Sequence, residues 1–385
     1  MTTLNDASNN DALNNDASNV DPKPALTAQK KVFITGAAGF VGQYVVAAVL
    51  RAGHQVLANV RAKTNLEQVS WHNSPNVTIV RQDLRSRRGL TEALTGADAV
   101  IHLAAVKGGD FYDQFAGTVI ATENLLWAMK AQEIRQLVAI STFSVYDFLH
   151  MQPHHLLDET GPIEANPADR DGYAQTKLIQ EKLYRAYEGD VTILRPGMIY
   201  GRDNLWHALI GAEMGETRWL KIGGKATLPM AYVENCAAAI ACALDAPAAV
   251  GQTINIVDDH LPTQNTYLDQ LLLHTLEPPQ IIPVPWFVMR SIANLAWWVN
   301  TALLDKQARL PGILVPAKLQ GRFKPLKYNN DRAKALLHWT PDYSLEEAFE
   351  RSCSDWDLVA VETDINIDKL AEPSEPKGIP AAAGY

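Results

Sequence analysis

Lys31-Val32-Phe33-Ile34-Thr35-Gly36-Ala37-Ala38-Gly39-Phe40-Val41-Gly42 runs directly into Gln43-Tyr44-Val45-Val46-Ala47-Ala48-Val49-Leu50. The apolar run before Gly36 has the length of a buried strand, and the residues after Gly42 predict an apolar helix. Glycines 36, 39 and 42 lie between them, in the order strand, turn, helix that a dinucleotide-binding loop requires. Gly36 permits the tight turn, Gly39 lets the backbone approach a pyrophosphate, and Gly42 lets the helix pack closely on the strand. The amides of the helix N-terminus then face the negative charge. An ordinary strand-to-helix turn would explain the same glycines. No Gly-Lys-Ser or Gly-Lys-Thr ends the loop, which excludes a P-loop nucleotidase.

What separates these readings lies far downstream. Tyr173 and Lys177 stand four apart within residues 172–187, which predict a helix, so both side chains share one face. An ammonium beside a phenol favours phenolate and is expected to lower the phenol pKa from about 10 towards neutrality. Such a tyrosine exchanges a proton with a substrate hydroxyl or carbonyl while a nicotinamide exchanges the hydride. A phosphate loop alone would need neither residue.

Around this pair the chain alternates strand and helix. Strands are expected at 32–34, 56–60, 77–80, 99–103, 137–140 and 192–194, with helices after the glycines, at 115–129 and at 172–187. This order predicts an α/β fold: a Rossmann-type, doubly wound parallel sheet over residues 30–201, with residues 231–257 rejoining it through a helix and a strand at 253–256. Residues 202–230 and 258–361 are expected to build a smaller, mostly C-terminal substrate-binding lobe. Residues 1–29 repeat Asn-Asp-Ala units and predict a disordered tail without the apolar core of a signal peptide; residues 362–385 predict a flexible tail.

The 385 residues, 47 % of them hydrophobic, suffice for a large core, and the net charge of −9 argues against a nucleic-acid partner. Cys236, Cys242 and Cys353 show neither metal spacing nor a disulfide pattern, which points to the cytoplasm. His150, His154 and His155 cluster after the fifth strand, but no further ligand stands at diagnostic spacing, so no metal is expected. Residues 286–304 approach the length of a bilayer span, yet Arg290, Asn294 and Asn300 interrupt them. Arg290, Asn294 and Thr301 fall on one helical stripe. That pattern predicts a helix mostly buried in protein with one wet edge, weak interfacial membrane contact being the alternative.

The second strand ends Asn59-Val60-Arg61-Ala62-Lys63. An acidic residue there would bind the ribose hydroxyls of NAD; Arg61 and Lys63 instead suit the extra phosphate of NADP, leaving NAD as the alternative.

The chain resembles the extended short-chain dehydrogenases/reductases, the NAD(P)-dependent epimerase/dehydratase type. The resemblance rests on the 35–42 loop, Asp83-Leu84, His102-Leu103-Ala104-Ala105, Ser141-Thr142-Phe143-Ser144-Val145-Tyr146 and Tyr173 with Lys177. It continues through Arg195-Pro196-Gly197, Tyr200-Gly201 and Leu337-His338-Trp339-Thr340-Pro341. It implies that Thr142 stands where the family has its catalytic serine, with Ser141 and Ser144 as possible substitutes. It also implies cofactor contacts from Gly36, Gly39, Phe40, Val41, Gly42, Leu84, Leu103, Ala104, Ala105, Tyr173, Lys177, Pro196 and Gly197, with Asp83 accepting from the adenine amine. A homodimer through the helices at 115–129 and 172–187 is implied as well.

Three departures narrow the reaction. Dehydratases of this family carry an Asp-Glu pair after the catalytic threonine, where Phe143 and Ser144 stand. Met198 replaces an asparagine common among the sugar-nucleotide enzymes, and a diphosphate-binding arginine falls near Leu228. The chain is therefore more similar to the hydroxysteroid-dehydrogenase and dihydroflavonol-reductase side, which implies hydride transfer between nicotinamide and a fairly apolar secondary alcohol or ketone. Phe143, Ser144, Met198, Tyr232 and Arg322 are the expected substrate contacts. Arg322 and Lys324 could still meet a phosphate, so a nucleotide-sugar 4-epimerase is the second reading. A non-catalytic NADP-sensing protein is the third.

Overall fold

Val32, Phe33 and Ile34 are fully buried, as an apolar run without alternation requires of a strand covered on both faces. Their strand, Lys31–Thr35, pairs in parallel with Gln55–Val60 on one side and Ala99–His102 on the other. The computed structural model describes residues 28–354 apart from 168, 169, 203, 216, 304–307 and 309. Both expected tails fall almost wholly outside the described residues.

The main sheet has seven parallel strands in the order Thr253–Ile256, Asp190–Pro196, Gln136–Ile140, Ala99–His102, Lys31–Thr35, Gln55–Val60, Val77–Arg81. Helices Phe40–Arg51 and Val233–Cys242 pack on one face through Val45, Val49, Ala237 and Ile240. On the other face lie Leu125, Met129 and Tyr184, from helices Ala121–Ala131 and Gly172–Ala186. The chain winds outward in both directions from Lys31–Thr35, so the crevice beyond Thr35 and His102 is the switch point where such sheets take ligands.

The helix expected at 115–129 starts earlier. Asp110 caps Phe111–Phe115, its carboxylate accepting from the Asp113 amide at 2.8 Å. A π-helical turn, Ala116–Ile120, leads into Ala121–Ala131, and a Cβ on Gly117 would stand 2.3 Å from Val106 Cγ2.

Beyond the sheet, Arg218–Ile222 pairs with Ala212–Glu213 and Gln280–Val284. Leu220 and Ile222 share a small core with Met289 and Ala293 of helix Trp286–Ala302 and with Leu319 and Phe323 of helix Pro316–Phe323. Here the sequence expectation is corrected. Only Met289, Ala293 and Asn300 of the long helix are buried, whereas Phe287, Ile292, Leu295 and Trp298 are exposed. A three-stranded sheet with one short helix offers a partner to one stripe only, so the rest of the apolar surface stays uncovered. Among the described residues no helix is long and apolar enough to cross a membrane.

Candidate active site

Gly36 adopts φ +69°, and its carbonyl accepts the Gly39 amide at 2.9 Å. A Cβ on Gly42 would stand 2.0 Å from that same carbonyl oxygen, so Gly42 is held against the turn itself rather than against the strand. Helix Phe40–Arg51 starts with no side-chain cap and no acidic residue in its first turn. Its first amides are thus neither capped by a side chain nor opposed by a carboxylate, which is the chemistry a pyrophosphate needs. Thr35 fixes the loop to the neighbouring strand end: its Oγ1 accepts the Leu103 and Ala104 amides at 3.0 and 3.1 Å and meets His102 Nδ1 at 2.7 Å. Burial pushes the His102 imidazole down to about 3, so it stays neutral. Ala105 lies partly buried beside this strand end, as does Leu103.

At the second strand end Arg61 and Lys63 are exposed. Arg81 clasps their loop by donating to the carbonyls of Ala62 at 2.8 Å and Arg61 at 3.2 Å. Asp83 faces a competitor that the sequence reading missed. Its carboxylate binds the Arg85 guanidinium at 2.7 Å, a hydrogen bond that holds it below the usual carboxylate range. Leu84 is buried and its carbonyl accepts from Asn124 Nδ2 at 3.0 Å.

Thr142 follows strand Gln136–Ile140 and caps the turn Phe143–Val145, its Oγ1 accepting the Ser144 amide at 3.2 Å. Across the crevice Asp171 caps helix Gly172–Ala186 by accepting the Ala174 amide at 2.9 Å, which sets Tyr173 and Lys177 on the face turned towards Thr142. The Tyr173 hydroxyl is hydrogen-bonded to Thr142. Lys177 is buried, and its Nζ donates to the Ile140 carbonyl at 2.6 Å and to Gln180 Oε1. Gln180 in turn donates to Thr122 Oγ1 at 2.8 Å.

The electrostatics correct one expectation. Burial pushes the Tyr173 phenol up to about 12, assisted by Asp171 and opposed by the Thr142 hydrogen bond, so it is raised rather than lowered towards neutrality. Burial likewise pushes Lys177 down to about 7; Glu181 opposes this and Lys107 adds to it. The Lys177 ammonium is directed at a carbonyl and an amide, and desolvation outweighs its effect on the phenol. Lys107 and Gln180 were not singled out from sequence. Lys107 follows the His102 to Ala105 run at a strand end, and Gln180 lies three after Lys177 on the same helix face, so position alone could have flagged both.

Ser141 is committed elsewhere. It donates to Glu181, whose carboxylate takes the Arg195 guanidinium at 2.8 Å through both oxygens. Arg195 also donates to the Tyr146 hydroxyl at 3.1 Å, which donates to Asn255 Oδ1 at 2.8 Å. This buried network underlies the strand end that carries Thr142.

Comparison with known proteins agrees with the glycine loop and the seven-stranded sheet. Residues 32–257 match the model of the NAD dependent epimerase/dehydratase family. The chain belongs to that family. Among curated relatives, a 4-hydroxy-2-methyl-3-oxo-4-farnesyl-3,4-dihydroquinoline-1-oxide ketoreductase of Stigmatella aurantiaca is 26 % identical over 80 % of this chain and 91 % of the relative. A decarboxylating sterol-4-alpha-carboxylate 3-dehydrogenase of Dictyostelium discoideum is 28 % identical over 56 % of this chain and 68 % of the relative. Among solved structures, a UDP-glucuronic acid 4-epimerase of Bacillus cereus, in complex with UDP-glucuronic acid and NAD, superposes with a TM-score of 0.62. It is 22 % identical and covers 84 % of this chain and 97 % of that one. The protein is an NAD(P)-dependent dehydrogenase/reductase or epimerase of the extended short-chain type.

In this epimerase/dehydratase-family enzyme the residues expected at the substrate side divide. Phe143 is buried with Tyr146, Phe148 and Leu157, its ring 5.8 Å from that of Tyr328. Ser144 and Met198 are partly buried. Gly197 is required where the chain crosses over, since a Cβ would stand 2.1 Å from the Pro229 carbonyl oxygen; Pro196 before it is buried. Tyr232 lies wholly in the core with its hydroxyl on Glu234 at 2.9 Å. Lys324 is also engaged: its Nζ donates to the carbonyls of Phe148 at 2.5 Å and Met151 at 2.7 Å. Arg322 is half-buried on helix Pro316–Phe323 with Asp171 in its field, and it makes no hydrogen bond or ion pair among the described residues.

Proposed function

We propose that this enzyme transfers hydride between NADP and a fairly apolar secondary alcohol or ketone, with Thr142, Tyr173 and Lys177 as its catalytic triad. The observation that carries the reading is the meeting of the Thr142 and Tyr173 hydroxyls at the switch-point crevice, with Lys177 one turn along the same helix. NADP bound by the glycine loop would supply or accept the hydride at its nicotinamide ring. Arg61 and Lys63 would hold its extra phosphate, and the Lys177 ammonium its ribose hydroxyls. A phenol raised to about 12 holds its proton at neutral pH, so Tyr173 is set to donate that proton to a carbonyl oxygen. Thr142 orients the reacting oxygen by hydrogen bonding to it.

The apolar substrate is supported by Phe143 and Ser144 in place of an acid-base pair and by Leu228, buried where an arginine would meet a diphosphate. It is also supported by relatives named for a farnesylated quinoline oxide and a sterol. Arg322 favours the second reading, a nucleotide-sugar 4-epimerase, since an uncommitted guanidinium suits a phosphate.

Tyr173→Phe tests the mechanism because it removes only the phenolic oxygen. NADP affinity should survive while turnover falls by about 10²–10⁴. Thr142→Ser should keep most activity and Thr142→Val should lose it. Stopped-flow hydride transfer at the wild-type rate in Tyr173→Phe would contradict the assignment.

A further inference from the structure

Helix Trp286–Ala302 has three sectors when its residues are placed at about 100° intervals. Met289 and Ala293 face the small core, and Asn300 is buried on the same side with its amide bonded to the Ala308 backbone. Arg290, Asn294 and Thr301 form a polar exposed stripe beside them. The remaining arc carries Phe287, Ile292, Leu295 and Trp298, 65 %, 47 %, 62 % and 60 % exposed, and Leu303 continues it past the helix end at 69 %. That arc is about 160° wide, and large apolar side chains grouped on one exposed face mark an interaction surface.

Charge identifies the occupant. Between residues 278 and 330 the sequence has seven cations, Arg290, Lys306, Arg309, Lys318, Arg322, Lys324 and Lys327, against one carboxylate, Asp305. The segment is therefore net +6 within a chain of net −9. Lys324 is engaged by backbone carbonyls and Lys318 lies 3.9 Å from Asp171, so among its described residues Arg290 and Lys327 are the exposed cations. Arg290 lies 5.1 Å over the Trp286 ring beside the apolar arc. A second copy of this acidic chain would also be drawn to cations, which makes the oligomeric state the competing outcome of the test below. An anionic lipid headgroup layer meets both the apolar arc and the cations, and tryptophan with arginine at the edge of an apolar stripe suits its boundary.

We propose that the exposed face of helix Trp286–Ala302 docks this enzyme on an anionic membrane surface, with the helix lying in the plane of the interface. Its other face shares a core with helix Pro316–Phe323, so docking places the lobe that carries Arg322 against the bilayer. An apolar substrate dissolved in lipid would reach the crevice from that side. The docking itself does not depend on which substrate is used.

Co-sedimentation of the full-length protein with vesicles tests this without any substrate. Binding to phosphatidylcholine vesicles containing about one third phosphatidylglycerol is expected, with blue-shifted tryptophan emission and at least tenfold weaker binding to pure phosphatidylcholine. Leu295→Glu combined with Phe287→Glu should abolish vesicle binding while thermal melting and NADP affinity stay at wild-type values. Trp298→Leu, which keeps the face apolar, should retain binding. No binding to anionic vesicles, equal binding by the double variant, or a double variant that turns a wild-type oligomer into a monomer without wild-type vesicle binding would overturn the proposal.

Discussion

Arg61 and Lys177 carry the cofactor reading in different ways. Arg61 is exposed at the strand end, in a loop that Arg81 holds by its carbonyls, so its guanidinium is positioned without being consumed. A charge-assisted contact to the 2′-phosphate predicts that Arg61→Ala weakens NADP by about 1.5–3 kcal/mol and leaves NAD nearly unchanged; calorimetric titration with both decides it. Lys177 predicts a proton effect. With its pKa at about 7 in the free protein, the amine is mostly neutral above that pH, and a cofactor held by the ammonium must draw a proton in. Affinity should therefore fall as pH rises above about 7, with proton uptake seen as a buffer-dependent binding heat, and Lys177→Met should abolish the uptake. Tyr173 and Lys177 were legible because four-residue spacing fixes a shared helix face. The sense of the phenol shift was not, because it depends on burial and on Gln180 and Ile140 drawing the ammonium away. Likewise nothing local in Asp83-Leu84-Arg85 announced that the arginine would take the aspartate, since a flexible side chain two residues away has many other places to point.

The glycine loop tests the fold at the level of one strand and one helix. A methyl at Gly42 would meet the Gly36 carbonyl at 2.0 Å, and the turn that presents the helix amides would have to open. Gly42→Ala is expected to cost about 1–3 kcal/mol in chemical denaturation and to lose NADP binding beyond that loss of stability. Binding at wild-type affinity would show that the turn does not form the pyrophosphate site. The strands around this loop were readable because strands buried on both faces appear as unbroken apolar runs. Helix Trp286–Ala302 shows the complementary limit. Periodicity located it and separated its polar stripe, but a sequence pattern counts apolar faces and not the partners available to cover them.

For the whole molecule, the helices Phe111–Phe115, Ala121–Ala131 and Gly172–Ala186 form one flank of the sheet, with Tyr112 and Trp127 80 % and 45 % exposed upon it. A homodimer built on this flank would cover both aromatics, and light scattering at micromolar concentration should give twice the chain mass; a monomer would remove that proposal. The catalytic claim draws on both parts of the molecule, since the sheet and its flanking helix Gly172–Ala186 supply the glycine loop and the proposed triad while the helix Pro316–Phe323 carries Arg322. The most direct test is a screen of the purified full-length enzyme that follows NADPH absorbance with a panel of hydrophobic ketones, beside an assay for 4-epimerisation of UDP-sugars. The account predicts NADPH consumption with at least one apolar ketone and no interconversion of UDP-sugars. Epimerisation of a UDP-sugar without net consumption of NADPH by any ketone would contradict it.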